Sequence, residues 1–256
     1  MSKREQEFAD WKADRDREVV ERGRRPLTER HHHYLSTIES SPLTIALGPA
    51  GTGKTTLAIS VAANLLKSRQ VERIVLCRPL VECGEKLGTL PGDVNEKMSL
   101  FVKPMTEALR SHFHDHEIES MRAKEKLLII PLAQMRGLTL NRSFVCLDEA
   151  QNATYGQLHM FLTRQGDGSR FVVNGDIRQS DIASRAGVPL LQATRRLAAP
   201  PRRADISFVL FRPEDVLRPD IVSFCDQRLA EDEREHVAEL AHVPPPRYGD
   251  WAAMPN

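Results

Sequence analysis

The stretch Gly48-Pro-Ala-Gly-Thr-Gly-Lys-Thr55 constrains this chain more than any other feature. It matches the pattern G-x-x-x-x-G-K-[ST], in which glycines let backbone N–H groups converge on phosphate oxygens without crowding from side chains. An apolar run, Leu43 to Leu47, precedes it, and Leu57, Val61, Leu65 and Leu66 recur behind it at helical spacing. A strand that turns through glycines into a helix N-terminus aims orphan N–H groups and a partial positive charge at one anion. The expectation is a phosphate-binding loop for ATP, contacting it through Gly48, Pro49, Ala50, Gly51, Thr52, Gly53, Lys54, Thr55 and Thr56. Lys54 is the point charge for the β- and γ-phosphates, and the Thr55 hydroxyl is a Mg2+ ligand.

A loop of this kind needs an acidic partner, and Phe144-Val-Cys-Leu-Asp-Glu149 supplies one. It is an apolar strand ending in two carboxylates. Asp148 is expected to hold Mg2+, and Glu149 to polarise the attacking water. A third element, Gly175-Asp-Ile-Arg-Gln179, follows the next apolar run. Carboxyl ends of parallel strands face the ligand crevice, so Gln179 is a candidate for sensing the γ-phosphate or the lytic water.

Six short apolar runs are strand candidates: Leu43 to Leu47, Arg73 to Cys77, Leu127 to Ile130, Ser143 to Leu147, Arg170 to Asn174 and Ile206 to Phe211. Their near-continuous apolar character suits strands buried on both faces of a parallel sheet, and helical patterns alternate with them. The fold class expected is α/β, a three-layer P-loop NTPase with a mostly parallel RecA-like sheet. It forms a single core over residues 27–230, between a charged segment (1–26) and a Pro-rich tail (231–256). The first segment reads as a solvated helix or tail, with Phe8, Trp11, Val19 and Val20 as its sparse apolar positions. A long excursion over residues 83–126 interrupts the alternation, far beyond an ordinary α/β loop, with Pro104 expected to kink or split its amphipathic helix.

The chain has 36 Lys+Arg against 35 Asp+Glu, so any nucleic-acid contact must come from a local patch rather than from overall charge. Lys97, Lys103 and Arg136 are candidates to line a basic channel in or near the excursion. The four cysteines show no Cys-x-x-Cys pairing, and no run of about 18 apolar residues exists. A soluble, cytoplasmic protein with no membrane partner is expected. His112-Phe-His114-Asp-His116 would put its imidazoles on one face only in a strand, and it falls at a helix end.

With these motifs in place, the chain resembles the PhoH-like family of P-loop ATPases from about Tyr34 to Leu229. The resemblance rests on Ala46 to Ala58, Arg78 to Asp93, Pro131 to Asn152, Met160 to Asp181 and Pro213 to Arg218. The family is similar to the ATPase core of superfamily 1 helicases and to ring-forming RecA-like enzymes. The resemblance implies ATP hydrolysis with Mg2+ and a role on RNA or single-stranded nucleic acid. It also implies a homo-oligomer, expected to be a hexameric ring, in which Arg218 serves in trans as an arginine finger, with Arg164 in reserve. Two departures stand out: His31 occupies the place of a family Gln that resembles the adenine-reading Gln of helicases, and Leu138 replaces a family Arg. A histidine there can donate to adenine N7 but cannot make the two-point contact of an amide. The alternatives are an ATP-driven remodeller of a protein partner and a small-molecule kinase. Against the kinase stand Glu149 and Gln179, both suited to activating water.

Overall fold

Six strands form the sheet: β1 (Leu43–Leu47), β2 (Arg73–Arg78), β3 (Leu127–Pro131), β4 (Ser143–Leu147), β5 (Arg170–Gly175) and β6 (Ile206–Leu210). Each matches an expected apolar run to within one residue at either end. The computed structural model describes residues 3–21, 25–79, 103–182 and 188–218. The excursion up to residue 102, Lys97 included, and the tail at 231–256 lie outside them.

The sheet order is β3-β2-β4-β5-β1-β6. Ladders β1–β5, β2–β3, β2–β4 and β4–β5 are all parallel, with Leu47 level with Gly175 and Cys77 level with Leu147. One strand, β5, therefore separates the strand before the phosphate loop from the strand bearing the acids. Every residue of β1 and β4 is buried, which is why their sequences lack the alternation of a half-exposed strand. In β3 at the sheet edge only Leu127 and Pro131 are buried.

Helices follow from caps and apolar spacing. α1 (Lys3–Glu21) and α2 (Glu29–Ser40) precede the sheet, and α3 (Lys54–Lys67) joins β1 to β2. Leu57, Ala58, Ile59, Val61, Ala62, Ala63 and Leu65 of α3 are all buried, a wider apolar face than its leucine spacing implies. Residues 103–110 are helical (α4), Pro104 among them, followed by α5 (Asp115–Ala123). α6 (Tyr155–Leu162) opens with a capping box: Thr154 accepts from the Gln157 N–H at 3.2 Å, and Gln157 accepts from the Thr154 N–H at 2.8 Å. α7 (Pro189–Ala198) starts on a proline, whose missing N–H costs nothing in a first turn. Phe161 of α6 meets Phe171 of β5 with ring centroids 5.1 Å apart, and both rings are fully buried.

The described chain divides into two compact units. The larger holds the described residues within Leu35–Leu47 and Lys54–Val209, with the sheet; the smaller draws on the described residues within Met1–Tyr34, Gly48–Gly53 and Leu210–Asn256. In the smaller unit α1 is not purely solvated as its composition suggests. Phe8 is buried and stacks on Trp11 at 5.1 Å, because even a charged helix hides a paired aromatic where a surface is available. Phe211 leaves the strand pattern for a related reason. It is fully buried against the rings of His31 and Tyr34, at 5.2 and 5.3 Å.

Candidate functional site

In the smaller unit the glycine loop is held from beneath. A Cβ on Gly48 would stand 2.5 Å from Phe211 Cβ and 2.8 Å from the Phe211 carbonyl, so only glycine fits. Gly51 has φ +82°, in the left-handed region, and its carbonyl accepts from the Leu217 N–H at 3.0 Å. Thr52 is fully buried, its hydroxyl donating to the Pro49 carbonyl at 3.0 Å. Its side chain is thus committed to the loop's own backbone.

His31 is fully buried, and both ring nitrogens are engaged. The Thr28 N–H donates to Nδ1 at 2.9 Å, so the proton sits on Nε2, which lies 3.0 Å from the Thr52 carbonyl. Burial lowers its pKa and keeps the ring neutral. This ring's one N–H is spent on the glycine loop, not held free for adenine N7. Beside it, Asp215 accepts from the Thr28 hydroxyl at 2.7 Å, from Arg30 Nη1 at 2.5 Å and from the Arg212 N–H at 2.8 Å. Arg218 also belongs to this unit. Its Cδ and Nε would lie 2.9 and 3.0 Å from a Cβ on Gly51 of the same chain. Within its own chain the Arg218 side chain therefore lies on the glycine loop.

The larger unit carries the charged chemistry. Lys54 opens α3 and is 9% exposed; burial pushes its pKa down to about 8, against the pull of Asp176, Asp148 and Glu149. The next residue, Thr55, donates its hydroxyl to Asp148 Oδ1 at 2.6 Å. Thr56 is half-buried in the same turn. Asp148 is 5% exposed, and burial together with the neighbouring Glu149 charge raises its pKa. Its main chain is anchored by an N–H bond to the Cys77 carbonyl at 2.9 Å, one rung beyond the β2–β4 ladder.

Glu149 takes a left-handed conformation, φ 52° and ψ 38°, which a non-glycine residue adopts at a cost of about 1 kcal/mol or more. Both its oxygens hold donors. Arg78 Nη2 is 2.8 Å from Oε1, and Gln151 Nε2 is 2.6 Å from Oε2. Arg78 Nε also lies 3.6 Å from Asp148. Gln151 in turn accepts from the Asp176 N–H at 3.0 Å, tying the ends of β2, β4 and β5 together. Gln179 follows in a turn whose N–H bonds the Asp176 carbonyl at 3.0 Å, and it is exposed.

Lys54, Thr55, Asp148 and Glu149 thus gather in one place. Sequence reasoning gave no role to Arg78, Gln151 or Asp176. The signal was present for Arg78 and Asp176: each stands where a parallel strand ends, and the strands carrying them flank β4. Gln151 had none, because its partners are set by the left-handed bend at Glu149. Other expected residues fall elsewhere. Arg164 bonds the carbonyls of Met160 and Leu138, at 3.2 and 3.4 Å. His112 lies 2.9 Å from the Ser60 hydroxyl, while His114 and His116 stack on each other. Among the described residues no helix is long and apolar enough to cross a membrane.

Comparison with known proteins agrees with this geometry. A family model described as PhoH-like protein matches residues 24–228. The chain is 39% identical over 209 residues to a PhoH-like protein of Synechocystis, covering 81% of this chain and 61% of that protein. It is 38% identical to the PhoH-like protein of Bacillus subtilis, covering 77% of this chain and 60% of the other. The large terminase of a thermophilic bacteriophage, solved in complex with ADP, shares the fold at TM-score 0.51 and 16% identity, over 79% of this chain and 50% of the terminase. The chain spans about three fifths of the length of these two curated relatives. A parallel sheet with one strand between phosphate loop and acids, and matches of this extent, lead to one conclusion: this chain belongs to the PhoH-like family.

Proposed function

We propose that this chain is an ATPase that binds ATP with Mg2+ and hydrolyses it, acting on RNA or single-stranded nucleic acid. One observation carries the reading: the Thr55 hydroxyl meets Asp148 at 2.6 Å beside the buried Lys54, with Glu149 next in the chain. The donor set fits Mg2+, a hard cation that takes a hydroxyl and a carboxylate and keeps its remaining positions for water and phosphate oxygens. When bound, Mg2+ would neutralise charge developing on the β- and γ-phosphate oxygens.

The protein's own groups have separate tasks in this reading. Backbone N–H groups of Gly48 to Gly53 cradle the phosphates, and Lys54 sets an ammonium against them. Glu149 orients and accepts a proton from the attacking water, which requires Arg78 or Gln151 to leave one of its oxygens free. Gln179, exposed at the end of β5, contacts the γ-phosphate or that water. Arg218, which lies over Gly51 of its own chain, supplies positive charge to a phosphate. The ring assembly, in which Arg218 would act in trans as an arginine finger, rests on the family resemblance.

Phosphate release by the purified chain, with and without single-stranded RNA and alongside particle mass by light scattering, tests the proposal. Magnesium-dependent release that Lys54→Ala abolishes and RNA stimulates is the expected result. Release unchanged by Lys54→Ala would contradict the site. Release indifferent to RNA would favour a protein-remodelling role, and a monomeric mass with full activity would remove the ring.

A further inference from the structure

Charge in this protein is balanced overall but not locally. Residues 188–204 contain four arginines, Arg195, Arg196, Arg202 and Arg203, and no Asp or Glu. α6, which packs beside α7, has no carboxylate either. Arg203 is paired with Asp205 at 2.7 Å. Arg195, Arg196 and Arg202 are exposed and have no carboxylate partner among the described residues. Arg202 Nε donates to the Ala198 carbonyl at the end of α7, at 3.0 Å, which holds its guanidinium near the last turn.

Next to Arg196 stands the one exposed large hydrophobic side chain among the described residues, Tyr155, at 41%. The Arg196 guanidinium stands over its ring, 5.6 Å from the centroid. Compensation of the α7 dipole accounts for arginines in its last turn. It does not account for two neighbouring helices free of acid, nor for an aromatic ring left in water under a cation. An exposed ring beside exposed arginines is the chemistry that stacks a base and neutralises the adjoining phosphates.

We propose that the α6–α7 face binds single-stranded nucleic acid, with Tyr155 and Arg196 stacking a base and Arg195 and Arg202 contacting phosphates. A single strand is specified because a base must offer its face to the ring, which a duplex prevents. The assignment rests on the nucleic-acid part of the proposed function and gives it a place outside the nucleotide site.

Anisotropy of a fluorescein-labelled oligouridylate, titrated with the full chain at several salt concentrations, tests it. Tyr155→Ala should weaken binding by about ten-fold, within the range for losing one stacked base, and Tyr155→Phe should restore it. The double variant Arg195→Gln with Arg202→Gln should weaken binding and reduce the log–log salt slope by roughly 1.5, close to 0.7 per lost phosphate contact. Phosphate release without RNA and the melting temperature should stay at wild-type values in all three variants. Wild-type binding that none of them alters would overturn this site while leaving the nucleic-acid reading intact. No binding by the wild-type chain would overturn both.

Discussion

Asp148 and Asp215 are both almost fully buried, at 5% and 2% exposure, yet their surroundings push them in opposite directions. Burial raises the pKa of Asp148, and the adjacent Glu149 charge raises it further; Arg78 and the Thr55 hydroxyl offset this only in part. Asp215 is also penalised by burial, but the Arg212 N–H, the Thr28 hydroxyl and Arg30 outweigh it, and its pKa falls below the usual value. A carboxylate that gathers enough donors from its own fold is a structural group. One left short of positive charge, beside a second carboxylate, is kept for something that arrives from outside.

The largest expected effect separates the two by activity. Asp148→Asn should lower ATP turnover by about 10²-fold or more, the scale of losing one electrostatic contact to the reacting phosphate. The same change should hold or raise the melting temperature, because it removes a buried charge that the fold does not satisfy. An Asp148→Asn protein that turns over normally, or melts well below wild type, would break the contrast.

Asp215→Asn should do the reverse. Losing the carboxylate leaves Arg30 and the Arg212 N–H without their anion, for about 2–3 kcal/mol and a melting temperature lower by roughly 5–10 °C. Calorimetric melting checks this, and an unchanged melt would show that the network adds no stability.

Lys54 gives a pH test. Its pKa is depressed to about 8, so the ammonium that phosphate needs is mostly present at pH 7 and mostly lost at pH 9. Between those values the ATP dissociation constant should rise about ten-fold, with proton uptake on binding near pH 8. Titration calorimetry in two buffers of different ionisation enthalpy reads both. A flat affinity over that range would place the lysine away from the phosphates.

The smallest effect concerns stability against pH. Asp215 has a lowered folded pKa, so its contribution is present above the ordinary carboxylate value and is lost only as pH falls through the lowered one. Asp148 has a raised folded pKa, so its penalty is present at neutral pH and relieved as pH falls through that value. The melting-temperature advantage of Asp148→Asn over wild type, of order a few degrees, should therefore shrink on acidification. An advantage that grew would reverse the assignment.

The strands were legible in the sequence because burial on both faces leaves continuous apolar runs, and the glycine loop because glycine is required where backbone approaches backbone, as Gly48 does at Phe211. The order of the strands was not, since an apolar run does not say which neighbour it takes; the position of β5 between β1 and β4 emerges only from pairing. The acids were found from chain position. Their partners Arg78 and Gln151 were missed, because those contacts depend on a left-handed bend at Glu149 that no residue type announces. The commitment of His31 was hidden for a similar reason. A polar residue near a binding loop suggests a ligand contact, whereas both its nitrogens are committed to Thr28 and Thr52.

Retention of ATP by the Glu149→Gln chain is the most direct test of the hydrolytic site. With Mg2+ present, the account predicts that this variant binds ATP as tightly as wild type and holds it unhydrolysed through gel filtration, while the wild-type chain releases phosphate. Phosphate release by Glu149→Gln at the wild-type rate, or failure of either protein to take up ATP, would contradict it.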